Sequence, residues 1–131
     1  MRDGLAWRDS GQLTLSGDLL DMRAEIDRFV AKIALPVEWK TASDAFFQPA
    51  QNPKWLLQRL EPNKLELVFG GELAIASINF HRNYFGEKFS LSRGGKAAFS
   101  GCVAFGVERW LGAVLRHYGA EPATWPAVWR G

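Results

Sequence analysis

The chain has 131 residues, 47% of them apolar and 23% charged, values that exclude wholesale disorder and fit one globular domain over residues 1–131. A net charge of +2 marks neither a strongly basic nucleic-acid binder nor an acidic tail. The single cysteine, Cys102, excludes an intrachain disulfide and leans toward a cytoplasmic location.

Other features of the sequence support that location. Arg2, Asp3, Arg8 and Asp9 interrupt the first ten residues, so no signal-peptide core forms. The longest uncharged apolar stretch, 99–107, is too short to span a bilayer. The charge is uneven: residues 1–72 hold 9 Lys+Arg and 11 Asp+Glu, and residues 73–131 hold 7 and 3.

In chain order, the opening predicts a hairpin. Asp9-Ser10-Gly11 is a turn cluster, and Leu13 and Leu15 alternate with polar neighbours. Asp18 is then the expected cap of a helix over 19–34, carried by Leu19, Met22, Ile26, Phe29, Val30 and Ile33 and stopped by Pro36. Val37, Trp39 and Thr41 predict a short strand. Residues 42–52 lack a period and are expected to be a loop. Asn52-Pro53 then opens a short helix that ends before Pro62.

Three strands are expected next, over 65–69, 72–80 and 88–93. Gly70-Gly71 turns between the first two. The middle strand is apolar on both faces, as expected of a central strand or one with a face given to a partner. In the third, Phe89 and Leu91 are expected to face the core. The last element is a helix starting between Ala97 and Gly101. Its stripe is Val103, Val107, Trp110, Leu111, Val114, Leu115 and Tyr118, and Gly119 caps it. Residues 120–131 form a Trp/Pro-rich tail. Clustered strands argue for an α+β fold: an antiparallel sheet of about five strands with the long C-terminal helix and the N-terminal helix packed on it.

Few motifs carry chemistry. Gly94-Gly95-Lys96 is not a phosphate loop, because the first glycine of that motif would fall at Ser90 and its Ser/Thr at Ala97. A strand-to-helix turn explains these glycines as well. A nucleophilic Cys102 needs a base. His117 would lie about 22 Å along the same helix, which leaves His81; the competing reading is a buried structural thiol. No metal motif, paired carboxylates or nucleophile elbow occurs, so no metal or cofactor is expected.

The basic-aromatic stretch over 81–96 is the most suggestive feature. Arg82, Lys88, Arg93 and Lys96 interleave with Tyr84 and Phe85, a composition that can hold phosphates and stack on bases. A solvated face beside core rings is the plainer reading. Trp125 and Trp129 either dock on the domain or anchor a partner. Ala97, Gly101, Ala104 and Gly112 would give the last helix a small-residue face, open to the chain's own sheet or to a homodimer. With no catalytic constellation, the expectation is a small non-catalytic binding or regulatory protein whose partner is a protein or single-stranded nucleic acid, with no membrane. A single-stranded nucleic-acid domain and a small Cys/His enzyme are the alternatives.

Overall fold

A computed structural model describes residues 6–42 and 64–129, with side chains from Gly17 onward in the first helix. The expected loop and short helix between Ala42 and Lys64 lie outside the described residues. Elements run α1 (Ala6–Ile33), β1 (Val37–Thr41), β2 (Lys64–Phe69), β3 (Leu73–Arg82), α2 (Tyr84–Lys88), β4 (Ser92–Arg93), β5 (Lys96–Ala97), β6 (Ser100–Phe105) and α3 (Val107–Tyr118). Two 3₁₀ turns, Pro122–Thr124 and Ala127–Trp129, follow.

The fold is α+β. The main sheet has the order β1-β2-β3-β6, with every pair antiparallel. β4 and β5 form a separate two-stranded ribbon. The N-terminal and C-terminal helices pack on one face of the main sheet. There Ile26, Val30, Ile33 and Ala113 meet Leu67, Phe69, Ile75 and Ile78 in one buried cluster.

Three expectations are corrected. The N-terminal hairpin is absent: α1 runs unbroken from Ala6, and Asp18 stands inside it rather than at its cap. No proline precedes Pro36. Once a helix is nucleated, each further residue adds a hydrogen bond at little cost, and Gly11 opposes this by only about 1 kcal/mol.

The strand expected over 88–93 is also absent. Tyr84–Lys88 is helical, and Ser92–Arg93 pairs with Lys96–Ala97 instead. Phe89 and Leu91 are 64% and 53% exposed, so neither is core. Gly94 (φ 59°) and Gly95 (φ 76°) turn the ribbon. Positive φ at both central residues is the requirement of a type I′ hairpin turn, and this is why glycines stand there.

The third correction concerns the last helix, which begins at Val107 rather than between Ala97 and Gly101. Residues 100–105 form the edge strand β6. Val103 fits a helical stripe with Val107 and equally a period of two with Phe105, and a short apolar run does not decide between them. Tertiary contact decides here. Gly101 lies so close to β3 that an added Cβ would come within 2.9 Å of the Asn79 carbonyl oxygen. The Gly106 amide donates to the Ile75 carbonyl at 2.9 Å, closing the strand and opening α3.

Side-chain contacts tie the layers together. Trp39 of edge strand β1 donates its ring N–H to Asp27 of α1 at 2.7 Å, with the Arg23 guanidinium 5.3 Å above its ring. The Tyr118 hydroxyl donates to the Ile33 carbonyl. Among the described residues no helix is long and apolar enough to cross a membrane.

Candidate functional site

Strand alternation sends every second side chain away from the helices. On that opposite face the register aligns Lys40, Glu66, Ser77 and Ala104 in one row across the four strands. Lys64, Asn79 and Cys102 make the next row. The helix-facing residues are branched and aromatic. This face is polar, carries both signs of charge, and has small side chains at its β3–β6 centre.

Asn79 anchors it. It is the one buried polar residue among those described, 8% exposed. Its amide donates to Ser77 Oγ at 3.0 Å and to Cys102 Sγ at 3.4 Å. Cys102 lies 3.7 Å from His81 Nε2, and His81 Nδ1 hydrogen-bonds Ser100 Oγ at 3.1 Å. Ser77, Asn79, Cys102, His81 and Ser100 therefore form one connected polar chain over two strands. His81 follows Asn79 at the next step of two along β3, at a bulge between Phe80 and Arg82. Lys64 and Glu66 pair at 3.3 Å beside this chain.

The connection between β3 and β6 closes one end of the face. Phe85 meets the His81 ring edge-on at 4.8 Å and stacks with Phe89 at 6.0 Å. Gly86 permits the close packing of this arm, since a Cβ there would fall 2.2 Å from the Ala98 carbonyl oxygen.

The structure gathers some sequence-derived candidates and separates others. Arg82, Tyr84, Phe85, Lys88, Arg93 and Lys96 all lie on the β3 end or the arm. Tyr84 and Phe85 are half-buried, and Lys88, Arg93 and Lys96 are exposed. Trp125 and Trp129 belong elsewhere. Trp125 donates its ring N–H to the Gly119 carbonyl at 2.9 Å, and Trp129 packs on the helix side, 6.3 Å from Phe29. His81 and Cys102 do come together, and Cys102 is exposed on a strand rather than buried in a helix. No third His, Cys, Asp or Glu joins them in a group able to hold a metal among the described residues.

Sequence reasoning missed Lys64, Glu66, Ser77, Asn79 and Ser100. The available signal was the period-two series Ser77, Asn79, His81 inside an otherwise apolar strand. Arg109 was missed as well. From the first turn of α3 its guanidinium donates to the Ala74 carbonyl at 3.1 Å.

No family model matches the chain. It is similar to amino acid–[acyl-carrier-protein] ligase 1 of Bradyrhizobium diazoefficiens, 34% identical over 92 residues, covering 66% of this chain and 28% of that protein. Ligase 2 of the same organism is 36% identical over 58 residues, 44% of this chain and 17% of the relative. A type-2 serine–tRNA ligase of Methanopyrus kandleri is 34% identical over 55 residues, 41% and 10%. The chain thus spans little more than a quarter of the first of these proteins. The matches overturn the expectation of a non-catalytic binding or regulatory protein, because all three relatives are named as ligases. That expectation rested on the lack of a catalytic motif.

Proposed function

We propose that the chain forms part of an aminoacyl-tRNA-synthetase-like ligase that activates an amino acid and passes it to a carrier, with the polar sheet face holding the amino acid. One observation carries this reading: the three relatives differ in acceptor, yet each is named for joining an amino acid to one.

The geometry supports it. A free amino acid is a zwitterion, and Lys64 and Glu66 offer one charge of each sign 3.3 Å apart. Glu66 is suited to the ammonium and Lys64 to the carboxylate, since ionised partners make the stronger hydrogen bonds. The Ser77–Asn79–Cys102–His81–Ser100 chain has fixed side chains, so it can position a small ligand at little further entropic cost. Ala74 and Ala104 beside it leave room. Carboxylates are poor electrophiles, so such a ligase first attaches a better leaving group, supplied by a nucleoside triphosphate.

The acceptor belongs at the arm. Arg82, Lys88, Arg93 and Lys96 project from the β3 end and the arm beside the face, with Tyr84 and Phe85 at its base. Two of the three relatives, including the one matched over the greatest length, are named for a carrier protein. A carrier protein is therefore the acceptor we favour. Trp125 and Trp129 have a packing role in this reading.

Calorimetric titration with a panel of small amino acids tests the proposal. The expected result is binding of at least one, weakened about tenfold or more by Glu66→Gln through loss of a charge-assisted contact. The corresponding acid without its amino group should not distinguish wild type from variant. If no amino acid binds, with or without ATP, the reading fails. Transfer of the bound amino acid to tRNA rather than to a carrier protein would reassign the acceptor alone.

A further inference from the structure

An exposed cysteine is ordinary, but Cys102 does not stand alone. It is exposed on strand β6 of the polar face. His81 Nε2 lies 3.7 Å from its sulfur, and the other ring nitrogen, Nδ1, lies 3.1 Å from Ser100 Oγ. A thiol, a base within reach of it and a third group that orients the base are the arrangement that activates a nucleophile. With the Nδ1 N–H donating to Ser100, Nε2 presents its lone pair to the thiol. Asn79 also fixes the sulfur, through an amide N–H at 3.4 Å.

The place of the thiol on the sheet matters as much as its partners. Lys64, Asn79 and Cys102 share one row. Adjacent strands are about 4.8 Å apart, so the backbones of Lys64 and Cys102 stand about 10 Å apart. A lysine side chain and a small amino acid together bridge that gap. An amino acid whose carboxyl end is held by Lys64 therefore has its carboxyl carbon in the row of the thiol.

We propose that Cys102 accepts the aminoacyl group as a thioester, with His81 as its base, before the group passes to the carrier; this rests on the amino-acid reading of the face. The Cys102 sulfur attacks the activated carbonyl carbon, and its proton goes to His81 Nε2. The S–C bond forms as the bond to the nucleotide breaks, and the nucleoside monophosphate departs as its anion. The imidazolium then releases its proton to water. In the second half a thiol of the carrier gives its proton to His81 and attacks the same carbon, and His81 passes that proton to the departing Cys102 sulfur. One thioester replaces another, so the exchange needs no further input of energy. Phe85 of the arm meets His81 edge-on, so the acyl group waits at the end of the face nearest the proposed acceptor.

The glycyl thioester of N-acetylcysteamine tests this on the full chain, because it is already activated and needs no nucleotide. Intact-mass spectrometry after acid quenching is expected to show a gain of one glycyl group, removed by neutral hydroxylamine. The chain holds a single cysteine, so a thioester has one possible site. Cys102→Ala should show no such adduct, with an unchanged circular-dichroism spectrum. If that variant fails to fold, wild type blocked at Cys102 with iodoacetamide takes its place. His81→Gln should slow acylation about a hundredfold near neutral pH. It should approach the wild-type rate in strong alkali, where a thiol ionises without a base, a pH dependence that a merely structural histidine would not produce. No glycyl adduct, or one that survives in Cys102→Ala or in the blocked protein, overturns the proposal. So does a His81→Gln rate equal to wild type at neutral pH. Acylation is read here without ATP or unesterified amino acid, and amino-acid binding is read by titration without this donor, so the two failures are distinguishable.

Discussion

Gly86 shows how much one missing methyl group can determine. It is buried where α2 meets the connection leading into β6, and the Ala98 backbone occupies the space a side chain would need. The neighbour is a carbonyl rather than a flexible side chain, so nothing yields without moving the chain. Gly86→Ala is expected to destabilise the protein by about 1–3 kcal/mol, the usual cost of overpacking. The urea midpoint measures it. The same substitution should push the arm away from His81, so the loss of stability and of the site's end wall come together. Asn79 is the complementary case, in which buried polarity is tolerated because both donor hydrogens have partners.

The elements legible in the sequence were those with one clear period. The strand at Val37–Thr41, the pair of strands joined at Gly70-Gly71, and the Ile26–Val30–Ile33 face of α1 all follow from alternation or from helical spacing. Elements set by tertiary contact were not legible. β6 is a strand because Gly101 and Gly106 bring its backbone against β3, and the apolar run that contains it fits either structure. The true core face of α3 is Trp110, Ala113, Val114 and Tyr118. Sequence periodicity alone placed Val107, Leu111 and Leu115 on the same stripe, since a broad apolar stripe does not say which of its edges is covered. The candidate site was half legible. His81 and the arm stood out by composition, whereas Lys64, Glu66 and Asn79 meet only through register. At this scale Gly112→Ala tests helix propensity alone, since an added Cβ there meets nothing within 4 Å. It should add about 1 kcal/mol of stability, measured by urea unfolding.

The molecule as a whole divides its two sheet faces between two tasks. One face is apolar, carries α1 and α3, and holds the structure together through a shared core. The other carries the polar chain centred on Asn79, which we propose as the amino-acid face. An antiparallel sheet allows this asymmetry, because its hairpin connections need not cover both faces. It also separates the proposed roles in space, with the amino acid on the polar face and the acceptor at the arm. The arm and the face still communicate at one point, where Phe85 meets His81.

The register across the arm has a consequence for how the chain can be cut and rejoined. Arg82 and Ser100 are paired neighbours on adjacent strands, so the connection 83–99 begins and ends at nearly the same point in space. Topologically it is a detachable module. A tight Asn-Gly turn joining the two strand ends would satisfy the same ladder with a shorter loop, lowering the entropic cost of closure by about 2 kcal/mol. The shortened chain is expected to keep the four-stranded sheet and its circular-dichroism signature, and to retain amino-acid binding weakened by the loss of Phe85 beside His81. It should lose transfer to the acceptor. Unfolding of the shortened chain would show instead that the arm is an integral part of the sheet.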